Sequence, residues 1–66
     1  MKYKIEIWQY HIIAETYESD DIKDILSWFK TSGWYTSYDM GYCSFDVYED
    51  GRQLSLDELY ELGFYD

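Results

Sequence analysis

The sequence predicts a small α+β domain: an antiparallel sheet of three or four strands packed against one longer helix, with a short C-terminal helix. Three patterns predict it. They are a β-branched and aromatic run at the start of the chain, helical spacing of apolar residues over 22–29, and alternation over 42–48. The predicted order is β-α-β-β-α, and residues 1–66 are expected to form a single acidic domain.

Residues 3–14 are predicted to form one long strand, because β-branched and aromatic residues are dense there. The alternation changes phase midway. Ile5 and Ile7 share one face, and the residues on the other face are Trp8, Tyr10 and Ile12. A β-bulge near Ile7–Trp8 would return all of them to one core face. Alternatively, a helix covers one face of the strand and a partner covers the other, and we favour this second explanation.

A helix is predicted over residues 21–32, with Ser19 or Asp20 as its N-cap and Gly33 as its stop. The buried stripe at helical spacing consists of Ile22, Ile25, Leu26 and Phe29. Because successive helical residues are rotated by about 100°, one edge of that stripe brings together Asp21, Asp24 and Trp28.

Two strands joined by a turn at Met40–Gly41 are predicted over residues 34–39 and 42–48. In the second strand the expected core face consists of Cys43, Phe45 and Val47. The Asp-Gly pair within residues 49–52 predicts a tight turn, because this pair favours positive φ. Gln53 and Leu54 can add a short returning strand.

A capping box at Ser55 and Glu58 predicts a short helix that ends before Gly63. Phe64 is then positioned to pack back against this helix. The expected core of the domain consists of Ile5, Ile7, Ile22, Ile25, Leu26, Phe29, Phe45 and Val47.

The charge of the chain is strongly unbalanced, with fourteen Asp and Glu against five Lys and Arg, for a net charge of −9. Nine Tyr, three Trp and three Phe accompany these acids, whereas a disordered acidic tail would be poor in aromatics. Acidic and aromatic side chains on one folded surface favour binding to a basic protein. Anionic lipid and nucleic acid repel such a chain, so we expect neither a membrane nor a nucleic acid as direct partner.

Sequence signals for chemistry are few. One His and one Cys cannot build a structural zinc site or an internal disulfide. His11 and Cys43 are interpreted as a partly buried histidine and a small core thiol. No Gly-rich phosphate loop is present. We therefore expect no enzyme, no cofactor and no metal. The lone Cys, and the lack of an apolar run of signal-peptide length, favour a cytoplasmic protein.

The acidic residues gather in two groups, at 15–24 and at 46–61. Fixed carboxylates can imitate part of a phosphate backbone, which carries about one charge per 1.7 Å of B-DNA axis. Alternatively, they only keep a tyrosine-rich protein soluble. The candidate partner-binding residues, which include aromatic anchors, are Glu18, Asp20, Asp21, Asp24, Trp28, Asp46, Tyr48 and Asp50.

A very small, acidic, tyrosine-rich domain without enzyme motifs resembles inhibitors of phages and mobile elements. Among these are DNA-mimic proteins, uracil-DNA glycosylase inhibitors and anti-CRISPR proteins. The resemblance covers the size, charge and aromatic content of the whole chain but no family motif, so no functional residue is carried over. It implies a non-enzymatic inhibitor or modulator that occupies the basic site of a nucleic-acid-binding protein.

Two alternatives remain open. A small structural or adaptor domain could self-associate as a homodimer, because a domain of this size is marginal without disulfide or metal. The candidate self-association surface consists of Trp8, Tyr10 and Ile12. In the other alternative, the acidity is an adaptation to the environment and is unrelated to function.

Overall fold

A four-stranded antiparallel sheet with helices forms the fold, as the predicted α+β class requires. The computed structural model describes residues 2–65. Its elements in chain order are β1 (Tyr3–Gln9), β2 (Ile12–Ser19), α1 (Ile22–Thr31), α2 (Trp34–Asp39), β3 (Ser44–Glu49), β4 (Arg52–Gln53) and α3 (Leu56–Leu62). The strands lie side by side in the order β2-β1-β3-β4. In the described part of the chain, no helix is both long and apolar enough to cross a bilayer.

The prediction of one long strand over residues 3–14 is wrong, because the chain reverses at Tyr10–His11 and forms the β1–β2 hairpin. Both turn residues have positive φ, 54° for Tyr10 and 67° for His11, as in a type I′ turn. Such turns usually carry Asn-Gly or Asp-Gly, so the sequence gives no local signal here. Glu15 and Glu18 belong to β2, which forms one edge of the sheet.

A β-bulge accounts for an irregular register between β1 and β2. Ile7 pairs with Glu15 and Trp8 pairs with Ile13, which leaves Ala14 as the extra residue. The bulge therefore lies in β2 and not in β1. Trp8 stays on the face opposite Ile7, so the bulge does not return it to the core.

The predicted shared face of Trp8, Tyr10 and Ile12 does not form. Residues paired across two strands point to the same face. Ile12 pairs with Gln9, the neighbour of Trp8, and therefore lies on the face opposite Trp8. Tyr10 lies in the turn. The hairpin separates side chains that a single strand would have aligned.

Helix α1 begins at a different cap from the one predicted. Asp21, and not Ser19 or Asp20, is the N-cap, and its side chain accepts a hydrogen bond of 2.9 Å from the Lys23 amide. Gly33, at φ 93°, separates α1 from α2, a turn in which glycine avoids the steric cost of a side chain.

The strand predicted over residues 34–39 is wrong, since this segment forms α2. Its aromatic content favoured a strand. In the helix, however, Tyr35 and Tyr38 are three residues apart and both meet the ring of Phe29 edge-on. Packing against Phe29 overrides the weak local preference.

The predictions for the C-terminal half are largely confirmed. Phe45 and Val47 are the buried face of β3. Asp50 and Gly51 form the β3–β4 turn with φ of 49° and 84°. The capping box of Ser55 is present at the start of α3.

The core lies between the helices and one face of the sheet. Its buried members are Ile5, Ile7, Ile25, Phe29, Phe45, Val47, Leu54, Leu59 and Phe64. Of the predicted core, Ile22 and Leu26 are only partly buried. The prediction omitted the C-terminal contribution, Leu54, Leu59 and Phe64. Of these three, Phe64 reaches the core because Gly63 turns the chain back after α3.

Candidate functional site

The opposite face of the sheet, here called the open face, carries polar and aromatic side chains, and no described helix packs on it. Strand pairing defines it across β2, β1 and β3. Its central residues are Glu18, Lys4, Glu6, Trp8, Asp46 and Tyr48. In each pairing a residue of β1 stands between one residue of β2 and one of β3.

Two carboxylates lie directly opposite each other at the centre of the open face. Glu6 of β1 pairs with Asp46 of β3, an arrangement in which like charges destabilise a sheet. Lys4 Nζ lies 3.2 Å from Glu6 Oε2, and the Glu6 side chain is only 12% exposed. Burial, and then the charge of Glu6, raise the pKa of Asp46. Lys4 therefore pairs with Glu6, one of the two neighbouring acids.

Asp46 receives a neutral hydrogen bond instead of a cation. Gln53 Nε2 of β4 donates to Asp46 Oδ1 at 3.1 Å. No described cation pairs with this carboxylate. Within residues 2–65, the charge of Asp46 is therefore not offset by a side-chain cation.

Two aromatic side chains flank the carboxylate pair. Lys4 Nζ stands 5.4 Å from the centroid of the Tyr48 ring. Trp8 lies further along β1, and its Nε1 is buried without a hydrogen-bond partner in the described part of the protein. An unpartnered buried donor costs about 1–3 kcal/mol, so Trp8 is not placed there by hydrogen bonding.

A pocket of about 480 Å³ opens at the Trp8 end of the open face, between the β1–β2 turn and residues 41–44. Its lining includes Trp8, Tyr10, His11, Tyr42, Cys43 and Asp46. Tyr10 is 87% exposed and Tyr42 is 67% exposed, so both rings present most of their surface to solvent. The pocket therefore combines one carboxylate with three aromatic side chains.

The β1–β2 turn holds its residues in an unfavourable backbone region. Positive φ costs a residue with a Cβ on the order of 1–2 kcal/mol relative to right-handed conformations. The β3–β4 turn meets the same requirement with Asp50 and Gly51, whereas the β1–β2 turn uses Tyr10 and His11. Since Tyr10 is almost fully exposed, its ring adds little to the core in return.

The pocket also brings His11 and Cys43 together as lining residues. Burial raises the pKa of the Cys43 thiol, and Sγ donates to the Trp34 carbonyl at 3.7 Å. A nucleophilic cysteine requires a lowered pKa, so this thiol is in the opposite environment. His11 is exposed in the turn, which corrects its interpretation as a partly buried strand residue.

Members of the first acidic group make contacts within the fold. Asp24 accepts a hydrogen bond of 2.9 Å from the Tyr17 hydroxyl. The Tyr17 ring stacks on Trp28 with centroids 5.0 Å apart and planes at 4°. Asp21 caps α1, and Asp20 Oδ1 accepts from the Lys2 amide at 2.9 Å. These predicted binding residues make contacts within the fold.

The open face joins members of both acidic groups. Glu18 pairs across the strands with Lys4, which in turn pairs with Tyr48. Asp46 lies on the same face, and Asp50 lies beyond it in the β3–β4 turn. Sequence reasoning missed Glu6 as a site residue. The available signal was its place between Ile5 and Ile7, which puts it on the face away from the core.

The chain matches no protein-family model, no curated protein and no solved structure. Within residues 2–65 no three His, Cys, Asp or Glu side chains are grouped so that they could hold a metal ion. The chemistry of the open face and its pocket is therefore the basis for inferring a function.

Proposed function

We propose that this protein is a non-enzymatic inhibitor or modulator, of the kind that phages and mobile elements make. It occupies the basic site of a nucleic-acid-binding protein. The observation that carries the proposal is the Glu6–Asp46 carboxylate pair, which has one lysine for two charges. A cation of the partner would relieve the repulsion between these acids, and the exposed rings beside them would anchor the contact.

The mechanism is competitive occlusion of the nucleic-acid site. The net charge of −9 attracts a basic surface over a distance and speeds encounter. Close contact then depends on Asp46 and on the aromatic side chains of Trp8, Tyr10 and Tyr42. The proposal implies a cytoplasmic protein with a basic protein partner and no direct nucleic-acid contact.

A competition assay tests the proposal. Affinity capture with the whole chain, followed by mass spectrometry, identifies basic nucleic-acid-binding proteins that it retains. Fluorescence anisotropy of labelled nucleic acid bound to the captured target then reports displacement. We expect this protein and nucleic acid to exclude each other. A ternary complex in which the target still holds its nucleic acid contradicts the proposal.

Charge variants make the assay specific to the open face. The double variant Glu6→Gln with Asp46→Asn should displace nucleic acid less well, whereas Glu61→Gln on α3 should behave as the unchanged chain. Association should also slow as salt rises, because exposed charges are screened beyond about 8 Å at physiological ionic strength. Equal displacement by both variants would argue against the open face as the contact surface.

Self-association is the second candidate function, and the exposed apolar tip of the hairpin favours it. Tyr10, Ile12 and Ile13 are all exposed, and β2 is an edge strand of the sheet. The hairpin puts Ile12 and Ile13 on opposite faces, so the outer edge of β2 is the surface that a second copy would meet. Light scattering at high micromolar concentration tests this candidate, and a monomeric mass would eliminate it.

A further inference from the structure

We infer that the pocket between the β1–β2 turn and residues 41–44 receives an arginine side chain of the basic partner. This inference rests on the proposed function and names the group that the site recognises. Three observations support it: the charge of Asp46, the aromatic lining of the pocket, and the backbone of the β1–β2 turn.

The charge of Asp46 favours a cation as the bound group. Lys4 already holds Glu6 at 3.2 Å, whereas among the described residues Asp46 receives only the amide of Gln53. Asp46 also lines the pocket, so a positive group that enters there reaches a carboxylate that no described cation pairs with. Pairing would offset both the desolvation of Asp46 and its repulsion from Glu6.

The aromatic lining of the pocket favours arginine over lysine. Trp8, Tyr10 and Tyr42 line the same pocket as Asp46. A planar guanidinium stacks on aromatic faces while its nitrogens donate to a carboxylate in a fixed fork. A lysine ammonium is a compact, strongly hydrated charge that cannot make both kinds of contact as well. One pocket that offers rings and a carboxylate together therefore matches the guanidinium.

The backbone conformation of Tyr10 also supports a contact with a partner. At φ 54° this residue adopts a conformation that Asn or Gly would adopt more easily, and its ring is 87% exposed. The conformation projects the ring at the pocket instead of into the core. A turn that destabilises the hairpin while presenting an aromatic side chain is consistent with a contact made to a partner.

Nuclear magnetic resonance of the whole chain tests the inference with two probes, Nα-acetyl-arginine amide and Nα-acetyl-lysine amide. The reporters are the indole N–H of Trp8 and the amide of Gly41, which both belong to the pocket lining. We expect saturable shifts with the arginine probe and clearly weaker binding of the lysine probe. Equal binding of the two probes, or the absence of a saturable shift with arginine, overturns the inference.

Two variants assign the response to the pocket. Asp46→Asn should weaken arginine binding about tenfold or more, because a charged partner of the guanidinium is lost. Tyr42→Ser should weaken it to a smaller extent, and Glu61→Gln on α3 should leave it unchanged. Retained binding by Asp46→Asn, with a spectrum that shows the native fold, contradicts the inference.

The two proposals fail in different ways. If the arginine probe binds as expected but this protein and nucleic acid occupy the target together, the pocket stands and the proposed function is wrong. If competition occurs while neither the probe nor Asp46→Asn has any effect, the proposed function stands and the arginine pocket is wrong.

Discussion

At the scale of single residues, Asp46 shows how a proposed binding group can oppose folding. Its carboxylate is partly desolvated and faces Glu6 across the strands, and its pKa is raised for these two reasons, burial first. Folding therefore favours the protonated form. The stability that this group contributes is present at low pH and is lost as pH rises through its folded pKa.

The first prediction follows from the raised pKa of Asp46. Asp46→Asn removes the charge and keeps an oxygen that can accept from Gln53, so at pH 7 the melting temperature should rise. Well below pH 3.8, the ordinary pKa of Asp46, the carboxyl is protonated in both states and the gain should vanish. Circular dichroism melts at the two pH values check this. A lower melting temperature at pH 7 would show that the charge stabilises the fold.

The pKa of Glu58 is shifted in the opposite direction, downward. The guanidinium of Arg52 holds it through two hydrogen bonds of 3.0 Å, and the Ser55 amide adds a third. Principally because of the Arg52 contacts, the pKa of Glu58 falls from 4.5 to about 2. The charged form is favoured by folding, so its contribution is present above the unfolded pKa and lost as pH falls through the folded one.

The second prediction is therefore a pH-dependent loss of stability in Glu58→Gln. Glu58→Gln should unfold at lower denaturant concentration than the unchanged chain at pH 7, and the difference should shrink as pH falls from 4.5 towards 2. Urea denaturation at a series of pH values measures it. Glu61→Gln on the same helix is the matched control, and a difference that stays constant with pH would contradict the assignment to Arg52.

At the scale of elements, the two hairpin turns give an internal comparison. Both require positive φ at two positions, and only the β3–β4 turn has residues suited to it. The β1–β2 hairpin thus depends on the pairing of its strands and on the packing of Ile5 and Ile7, and its turn opposes it. The element that carries the proposed contact is also the one with the least favourable local conformation.

The third prediction is that relief of the turn strain stabilises the domain and weakens binding of the arginine probe. Replacement of Tyr10 by Asn together with His11 by Gly should stabilise the domain by about 1 kcal/mol or more, because the turn strain is relieved. The same double variant should bind the arginine probe less tightly, since one ring of the pocket is removed. Urea denaturation and probe titration measure the two effects. A loss of stability would show that the Tyr10 or His11 side chain supports the hairpin.

At the scale of the whole molecule, one ring joins the layers of the core. Phe29 of α1 lies 4.4 Å from Phe45 of β3 and 6.1 Å from Phe64 after α3, measured between ring centroids. It also meets Tyr35 and Tyr38 of α2. Contacts of this side chain therefore join α1 to α2, to β3 and to the segment after α3.

The fourth prediction is that Phe29→Ala removes a large part of the stability of the domain. The substitution should cost about 3–5 kcal/mol, and a domain of this length has a total stability of roughly 3–10 kcal/mol. Met40→Ala is the control, because the Met40 side chain is exposed. Urea denaturation followed by tryptophan fluorescence compares the two, and a small change for Phe29→Ala would contradict the central role of this ring.

Features that depend on near neighbours can be predicted from the amino-acid sequence alone. The stripe of Ile25 and Phe29 follows from helical spacing, and the burial of Phe45 and Val47 follows from strand alternation. The capping box at Ser55 is likewise a local pattern and is present in the structure. Each of these features involves residues a few positions apart, so the amino-acid sequence is sufficient to predict it.

Features that depend on residues distant in the chain arise from tertiary packing and strand pairing. The reversal at Tyr10–His11 lacks turn residues and is imposed by the pairing of β1 with β2. Helix α2 forms where aromatic content favoured a strand, because its rings pack on Phe29. The Glu6–Asp46 pair is forty positions apart in the chain and depends on the β1–β3 register. That register comes from burying two apolar faces together, a choice that no local pattern contains.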